Sequence, residues 1–408
     1  MGGTDPDAGT GSAAGAAGDG LRVAVVGGGA VGVTAAHDLA RAGADVTLFE
    51  RGDLASGASG RAAGVLYDAY AEDIDAEVGA RALERFRRLS GTGEFSFTDC
   101  PYVLLARDGD GDLAEAIEGA AERMRVHGRD VETLGGEELR GRFPSLRVDD
   151  VTVAAVARNA GWADPGSYVA AVADLAESAG VEIRTDSPVA VSTAPPGVAV
   201  ASEAPVTRRF DAVVVAAGAH TKQVLADAGI AVPLKPYRVQ ALVSSREYGG
   251  PMWYDASAGA YARPHPAGLL AGDGTVPVEA DPDEWDRDAD DWFVEDVGGT
   301  LRERAGHDPE VDRAWAGLCT ATPDGDPLLG AVADGVFVAA GWQGHGFMRA
   351  PATGEAVARQ VLGESDGTPQ FDPTRFDGDE AFEISEGMAV DTESDTDAGT
   401  DDRTETRN

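Results

Sequence analysis

The stretch "VAVVGGGAVG", Val23 to Gly32, decides how the rest of the chain is to be read. A short apolar run meets a block of three glycines, and the spacing of apolar residues then changes to that of a helix in "AVGVTAAHDLARAG". A second run, "DVTLFE", completes a strand–helix–strand unit. Gly27, Gly29 and Gly32 stand in the G-x-G-x-x-G spacing at the strand-to-helix turn, with Ala30 and Val31 between the last two. Backbone that closes on a pyrophosphate has no room for Cβ atoms, and the start of a helix offers free N–H groups at the positive end of its dipole. Glu50 ends the second run, at the ~20-residue offset from which a carboxylate accepts from ribose hydroxyls. An acid there repels a 2′-phosphate, which argues against NADP. These residues predict a dinucleotide site and leave FAD and NAD both open.

Outward from this unit the alternation of strands and helices stops and resumes twice. "YVAAVADLAESAG", "VEIRT", "VAVSTAP" and "FDAVVVAAGA" resume it, and so later do "GVFVAAG" and "APATGEAVARQVLG". Between them lie "FSFTDCPYVLLARD", the helical "LAEAIEGAAERMRVHG", "KPYRVQALVSS", "AYARPHPAGLLAGDG" and "RAWAGLCTATPDGDPLLG", runs bounded by Gly and Pro that suit antiparallel strands. The expected architecture is α/β with an α+β second domain: a discontinuous Rossmann-like nucleotide domain (21–92, 150–232 and 320–376) beside an antiparallel-sheet domain (93–149 and 233–319). The Gly/Ala-rich leader 1–20 and the Asp/Thr-rich tail 380–408 have little to bury and read as disordered.

Charge narrows the partners. The 408 residues carry a formal net charge of −38, with Lys222 and Lys235 the only lysines. Acidic stretches such as "EADPDEWDRDADDW" lie within the body as well as in the tail, and self-repulsion on this scale is relieved by screening in molar salt. A halophile's cytoplasmic protein is expected, and nucleic acid is a poor partner. No apolar stretch approaches the ~18 residues of a membrane span. The first residues carry acids where a secretory signal carries Lys or Arg. Cys100 and Cys319 form neither a disulfide framework nor a metal cluster, so no metal is expected.

Two further glycine-rich segments bear on the ligand. "RGDLASGASGRAAGVL" follows Glu50 without the hydrophobic third strand of a simple nicotinamide domain. Its small residues, from Ser56 through Ser59, Gly60 and Ala63 to Gly64, let backbone and Ser59 meet a second pyrophosphate oxygen or a flavin edge; otherwise it is a flexible linker. "VFVAAGWQGHGFMRAP", Val336 to Pro351, ends a strand in three glycines and a lone histidine. That is either a loose turn or the seat of an anionic ring.

Taken with "GWADPGSYVAAVADLAESAGVEI", "FDAVVVAAGAHT" and "WAGLCTATPDGDPLLG", these motifs resemble the FAD-dependent amino-acid oxidase family that includes D-amino-acid oxidase, glycine oxidase and sarcosine oxidase. The resemblance spans roughly Leu21 to Phe376, and its last two motifs are most similar to sarcosine oxidase β-subunits, dimethylglycine oxidases and L-proline dehydrogenases. It implies that Gly341, Gly344, His345, Gly346 and Phe347 lie against the flavin N1–C2=O edge, where N–H groups at a helix start stabilise the charge of the reduced ring. His345 either touches flavin or substrate or is structural. The resemblance also places Ala217, Gly218 and Val189 near the adenosine, Arg51 beside Glu50, and Arg61 facing the ring; Val189 is alternatively core and Arg61 a surface charge.

The implied reaction takes a hydride from the carbon beside a neutral amine and delivers it to flavin N5, leaving an imine that water hydrolyses. The implied substrate is glycine, sarcosine or a related secondary or D-amino acid, and the alternative is a flavin-binding subunit completed by a partner. Where relatives hold the substrate carboxylate with cations, this chain has Cys319, Tyr67 and Met348. Tyr261 and Arg263 are the expected replacements, with Arg349 and Arg238 behind them. Gly317 stands where a cysteine can link the flavin, so noncovalent FAD is expected. Neither lysine falls near the position of the oxygen-activating lysine, which leaves the electron acceptor open between oxygen, a carrier and a partner subunit.

Overall fold

The computed structural model describes residues 18, 20–201, 206–306, 308–385 and 387. At its centre are β1 (Arg22–Val26), α1 (Ala30–Arg41) and β2 (Asp45–Phe49). They belong to a six-stranded sheet in the order Leu328–Ala333, Val336–Ala340, Ala212–Val215, β1, β2, Glu182–Arg184. All neighbours in it run parallel except the first pair. Three distant stretches of chain therefore build one sheet.

Both faces of β1 are covered. Val23 and Val25 pack under α1, Pro165–Ser178 and Gly346–Val361, while Ala24 and Val26 join Phe49, Val191, Val198 and Phe210 on the other side. A strand buried on both faces reads as a continuous apolar run, which is why "VAVV" lacks alternation. Helix α1 comes close to its neighbours because its contacts are small: a Cβ on Gly32 would stand 2.0 Å from the Gly27 carbonyl oxygen, and one on Gly354 2.6 Å from Thr34 Cβ.

A second sheet has eight strands, in the order Val311–Ala321, Lys235–Ser244, Gly268–Glu279, Ala260–His265, Met252–Asp255, Tyr102–Arg107, Val151–Ala157, Val131–Leu134. It is antiparallel apart from the pairing of Met252–Asp255 with Tyr102–Arg107. A small third sheet joins Val65–Tyr67, Ala160–Ala163 and Phe97–Asp99.

Two expectations are corrected here. The strand Val151–Ala157, assigned by sequence to the nucleotide domain, pairs on both sides within the eight-stranded sheet. Its run "VTVAAVA" is buried almost throughout, and periodicity alone does not distinguish such a strand from one in a parallel sheet. The tail is not uniformly structureless from residue 380. The Glu380 carboxylate accepts from the Asp377 and Gly378 amides, Lys235 Nζ donates to the Phe382 carbonyl, and Gln343 Nε2 donates to the Ser385 carbonyl at 2.8 Å. Most of the leader 1–20 and residues 388–408 lie outside the described residues.

Candidate active site

A cavity of about 800 Å3 lies between the two large sheets. One end is the turn between β1 and α1. Gly27, Gly29, Ala30 and Val31 line it at the start of the helix, where the first-turn N–H groups have no partner within the helix. Ser59 Oγ accepts from the Ala30 amide at 3.0 Å, and Gly29 stays bare because its Cβ would meet that hydroxyl. Glu50 braces the turn: Oε2 accepts from the Gly28 amide at 2.7 Å and Oε1 from the Gly52 amide at 2.9 Å. Arg51, Ser56, Ser59, Arg61, Ala63, Gly64, Val189, Ala217 and Gly218 complete this half.

Three glycines of the expected cofactor set stand behind the wall and shape it. Gly32 packs on Gly27, and Gly60 on the Ala55 carbonyl, where a Cβ would come within 2.3 Å. Gly341 has φ +84° and leaves no room for a Cβ, which would stand 2.5 Å from the Thr322 methyl.

The other end is walled by Gln240, Tyr261, Asp273, Leu318, Cys319, Thr320, Trp342, Gly344, Gly346, Phe347 and Met348. Tyr261 sits opposite Gly272 on the paired strand, and a Cβ there would lie 2.4 Å from the Tyr261 hydroxyl. Burial, reinforced by the charge of Asp273, pushes the Cys319 thiol up to about 12, so it stays protonated at neutral pH. Met348 Sδ accepts from the Tyr70 hydroxyl.

Several predicted residues do not reach the cavity. His345 is buried behind the turn with its ring edge on Tyr70; burial and then Arg349 push it down to about 3, so it is neutral. Tyr67 stacks on Tyr102 at 4.7 Å between ring centres. Arg263 donates from Nε to the Ala63 carbonyl and from Nη1 to the Pro264 carbonyl, lies over Trp162, and holds the loop that carries Ala63. Arg349 is buried against Asp75 at 2.7 Å, and Arg238 pairs with Asp290. The replacement cations expected from sequence are therefore structural, because each finds a local carboxylate or carbonyl first. Tyr261, Cys319 and Met348 do line the wall.

Sequence reading missed Trp285 and Arg287, which line the cavity from the acidic loop 281–288. The available signal was a tryptophan and an arginine set among aspartates. That loop crosses to the cofactor half, where Asp283 Oδ1 accepts from Arg51 at 3.0 Å and contacts His220 Nε2 at 3.1 Å. Asp273 and Gln240 were missed too, since each reads as an ordinary strand residue.

A strand–turn–helix cradle beside an enclosed wall defines a dinucleotide oxidoreductase site, and residues 22–360 match the family described as FAD dependent oxidoreductase. The chain belongs to that family. It is 29% identical over 88% of its length to 4-methylaminobutanoate oxidase (formaldehyde-forming) of Paenarthrobacter nicotinovorans, and spans 45% of that protein. Glycine oxidase of Bacillus licheniformis is 25% identical over 90% of this chain and 97% of its own. The crystal structure of L-proline dehydrogenase from P. horikoshii superposes with a TM-score of 0.79 at 27% identity, covering 88% of this chain and 98% of that one.

FAD is the cofactor, and the cradle fits it: donors at the start of α1, a carboxylate at Glu50 and bare backbone at Gly29 and Gly344. Gly317 on the wall has no thiol with which to link it. Among the described residues, no helix is long and apolar enough to cross a membrane.

Proposed function

We propose that this enzyme oxidises the C–N bond of a small amino acid or secondary amine. The single observation that carries this reading is Asp273, a buried carboxylate on the cavity wall whose charge is felt at Cys319. Loss of hydride from the carbon beside an amine nitrogen turns a neutral group into an iminium cation. A carboxylate that is ionised in a site shielded from water stabilises the cation that develops on the amine side of the reaction. FAD bound in the cradle supplies the hydride acceptor at its N5 atom.

The chain's own groups provide position and shielding. Asp273 Oδ1 accepts from the Thr275 hydroxyl at 2.6 Å, which fixes the carboxylate before substrate arrives. Tyr261 and Met348 flank the same space, and the neutral Cys319 adds no competing nucleophile at neutral pH. Water later adds to the iminium carbon and releases a carbonyl compound and the amine. The relatives named for 4-methylaminobutanoate, glycine and proline all act on such bonds, which supports the assignment.

Reaction with oxygen is expected to be slow. Lys222 pairs with Glu279 and Lys235 is held by the Phe382 carbonyl, so neither lysine lies on the cavity wall. A carrier or a partner subunit then stands beside oxygen as the acceptor of the electrons.

The test is anaerobic. FAD-loaded protein in molar KCl is mixed with sarcosine, dimethylglycine, glycine, L-proline, D-amino acids and longer N-methyl amino acids, and the flavin band near ~450 nm is followed. Bleaching by one of them is the expected result. A yellow protein that none of these amines reduces overturns the proposal.

A further inference from the structure

Met348 is a soft residue in a place that has to discriminate. It lines the cavity beside Tyr261, Asp273 and Cys319, and a thioether on three rotatable bonds ordinarily reshapes around whatever meets it. Behind the wall that freedom is taken away. The Tyr70 hydroxyl donates to Met348 Sδ, and burial pushes this hydroxyl up to about 12, so it keeps its proton and stays a donor at neutral pH. Sulfur is a weak acceptor, so the bond holds only while the donor is kept from turning elsewhere.

The packing around Tyr70 keeps it in place. The Arg349 guanidinium lies over its ring, 4.7 Å from the centre. Tyr67 lies against it at 5.1 Å and His345 meets it edge-on at 5.8 Å, both measured between ring centres. On the helix Asp73–Leu89, Gly79 comes so close that a Cβ there would stand 2.8 Å from Tyr70 Cε2. Asp75 of the same helix holds Arg349 at 2.7 Å, and Tyr70, Arg349 and Met348 are all buried. A chain of contacts thus runs from Asp75 through Arg349 and Tyr70 to the sulfur. Of these four residues, Met348 alone lines the cavity.

We propose that Tyr70 is a positioning residue for substrate selection: through its hydroxyl it fixes Met348 as a rigid apolar limit to the cavity, so that a compact substrate is taken and one branched where it meets Met348 is turned away. The inference rests on the amine-oxidising reading above for the identity of the substrate, and on the contact between Tyr70 and Met348 for the limit.

Two readouts test it, both on FAD-loaded protein in molar KCl. The first needs no ligand. The chain has five methionines, so 13C in the methionine methyl groups gives at most five signals, and Met348→Leu identifies the one at the wall. That signal should be a sharp line at the shift of a single rotamer, and Tyr70→Phe should move it towards the value of a freely rotating thioether. A wild-type line already at the averaged value overturns the proposal, whether or not Tyr70→Phe folds. The second reads Kd from perturbation of the flavin spectrum, for two series of rising bulk. One is sarcosine, N-ethylglycine and N-isopropylglycine; the other is acetamide, isobutyramide and pivalamide, which are not oxidised. Met348→Ala should shift the preference towards the bulkier members by about tenfold, the low end for a change of size in an apolar pocket. Tyr70→Phe should shift it the same way by about threefold, the low end for one hydrogen bond between neutral groups. In the Met348→Ala background Tyr70→Phe should add nothing, because residues in contact act as a unit. Shifts that simply add overturn the proposal, and so does a Tyr70→Phe variant that weakens every ligand and FAD alike. The amides separate the two ideas: if no amine bleaches the flavin but the amides are still ranked by size through Met348, the limit stands and the amine reading falls.

Discussion

Glu50 shows how much a single carboxylate can settle before any cofactor arrives. Its two oxygens accept from Gly28 and Gly52, so it ties the glycine turn to the loop that begins at Arg51. Glu50→Gln keeps the shape but turns one acceptor into a donor that faces an N–H. FAD affinity, read from quenching of flavin fluorescence on binding, should fall by ~10- to 100-fold, in line with charge-assisted bonds of ~1.5–3 kcal/mol. An unchanged Kd would mean that the carboxylate serves the fold alone. His345 makes a different prediction, through pH. Folded, it is held near 3; unfolded, it titrates near 6.5. Between those values only the unfolded chain takes the proton. Stability from this group is therefore complete above pH ~6.5 and falls as pH drops, by up to ~1.4 kcal/mol per unit. Asp326, pushed up to about 6 by burial and by Asp75 and Asp324, acts in the opposite sense over part of this range. The readout is thus the difference between wild type and His345→Asn in denaturant melts from pH 7 to 4.5. The wild type should lose more stability on acidification, and parallel curves would refute the neutral buried assignment.

At the scale of elements, two helical glycines should respond in opposite directions. Gly32→Ala would drive a Cβ to within 2.0 Å of the Gly27 carbonyl oxygen, a backbone atom that cannot step aside without opening the cradle. Loss of FAD binding and destabilisation by more than ~2 kcal/mol are expected, measured by denaturation and flavin retention. Gly119→Ala, in the helix Gly111–Val126, meets only the flexible end of Arg123 at 3.6 Å, and should stabilise by ~0.5–1 kcal/mol. The same contrast explains what could be read from sequence. The cradle was legible because its rule is local: strand, glycines at fixed spacing and a carboxylate at fixed offset all lie between Val23 and Glu50. The strand Val151–Ala157 was misplaced because its sheet depends on partners near residues 102 and 131. The loop 281–288 was read only as acidic surface, yet its fold is set by Asp283 meeting Arg51 from 232 residues away. Nothing in the local pattern announces that Trp285 and Arg287 line the cavity. The candidate cations Arg263, Arg349 and Arg238 failed for a related reason, since residue type reveals a charge but not which neighbour neutralises it.

At the scale of the whole molecule, the net charge of −38 is only locally offset. Ion pairs such as Arg140–Asp149 and Arg302–Asp308 are exposed, and pairs of this kind contribute little in water. Long-range repulsion remains, and it is the term that salt removes as the Debye length contracts from ~30 Å at 0.01 M to ~3 Å at 1 M. The Tm should therefore rise steeply with KCl at low concentration and level off near molar salt. The C-terminal segment offers a sharper test, because it acts in two senses. Ending the chain after Gly378 removes many acids, which relieves repulsion, but also removes Phe382 from Lys235 and Ser385 from Gln343 in the glycine turn beside the cavity. In dilute buffer the two effects oppose each other, and the truncated protein should melt close to the full chain. In molar KCl the repulsion is already screened and only the lost contacts count, so truncation should lower Tm and weaken FAD retention. A truncated protein that melts with the full chain at both salt concentrations would show that the segment bears no part of the turn, and a full chain whose Tm ignores KCl would show that its charge exerts no strain on the fold.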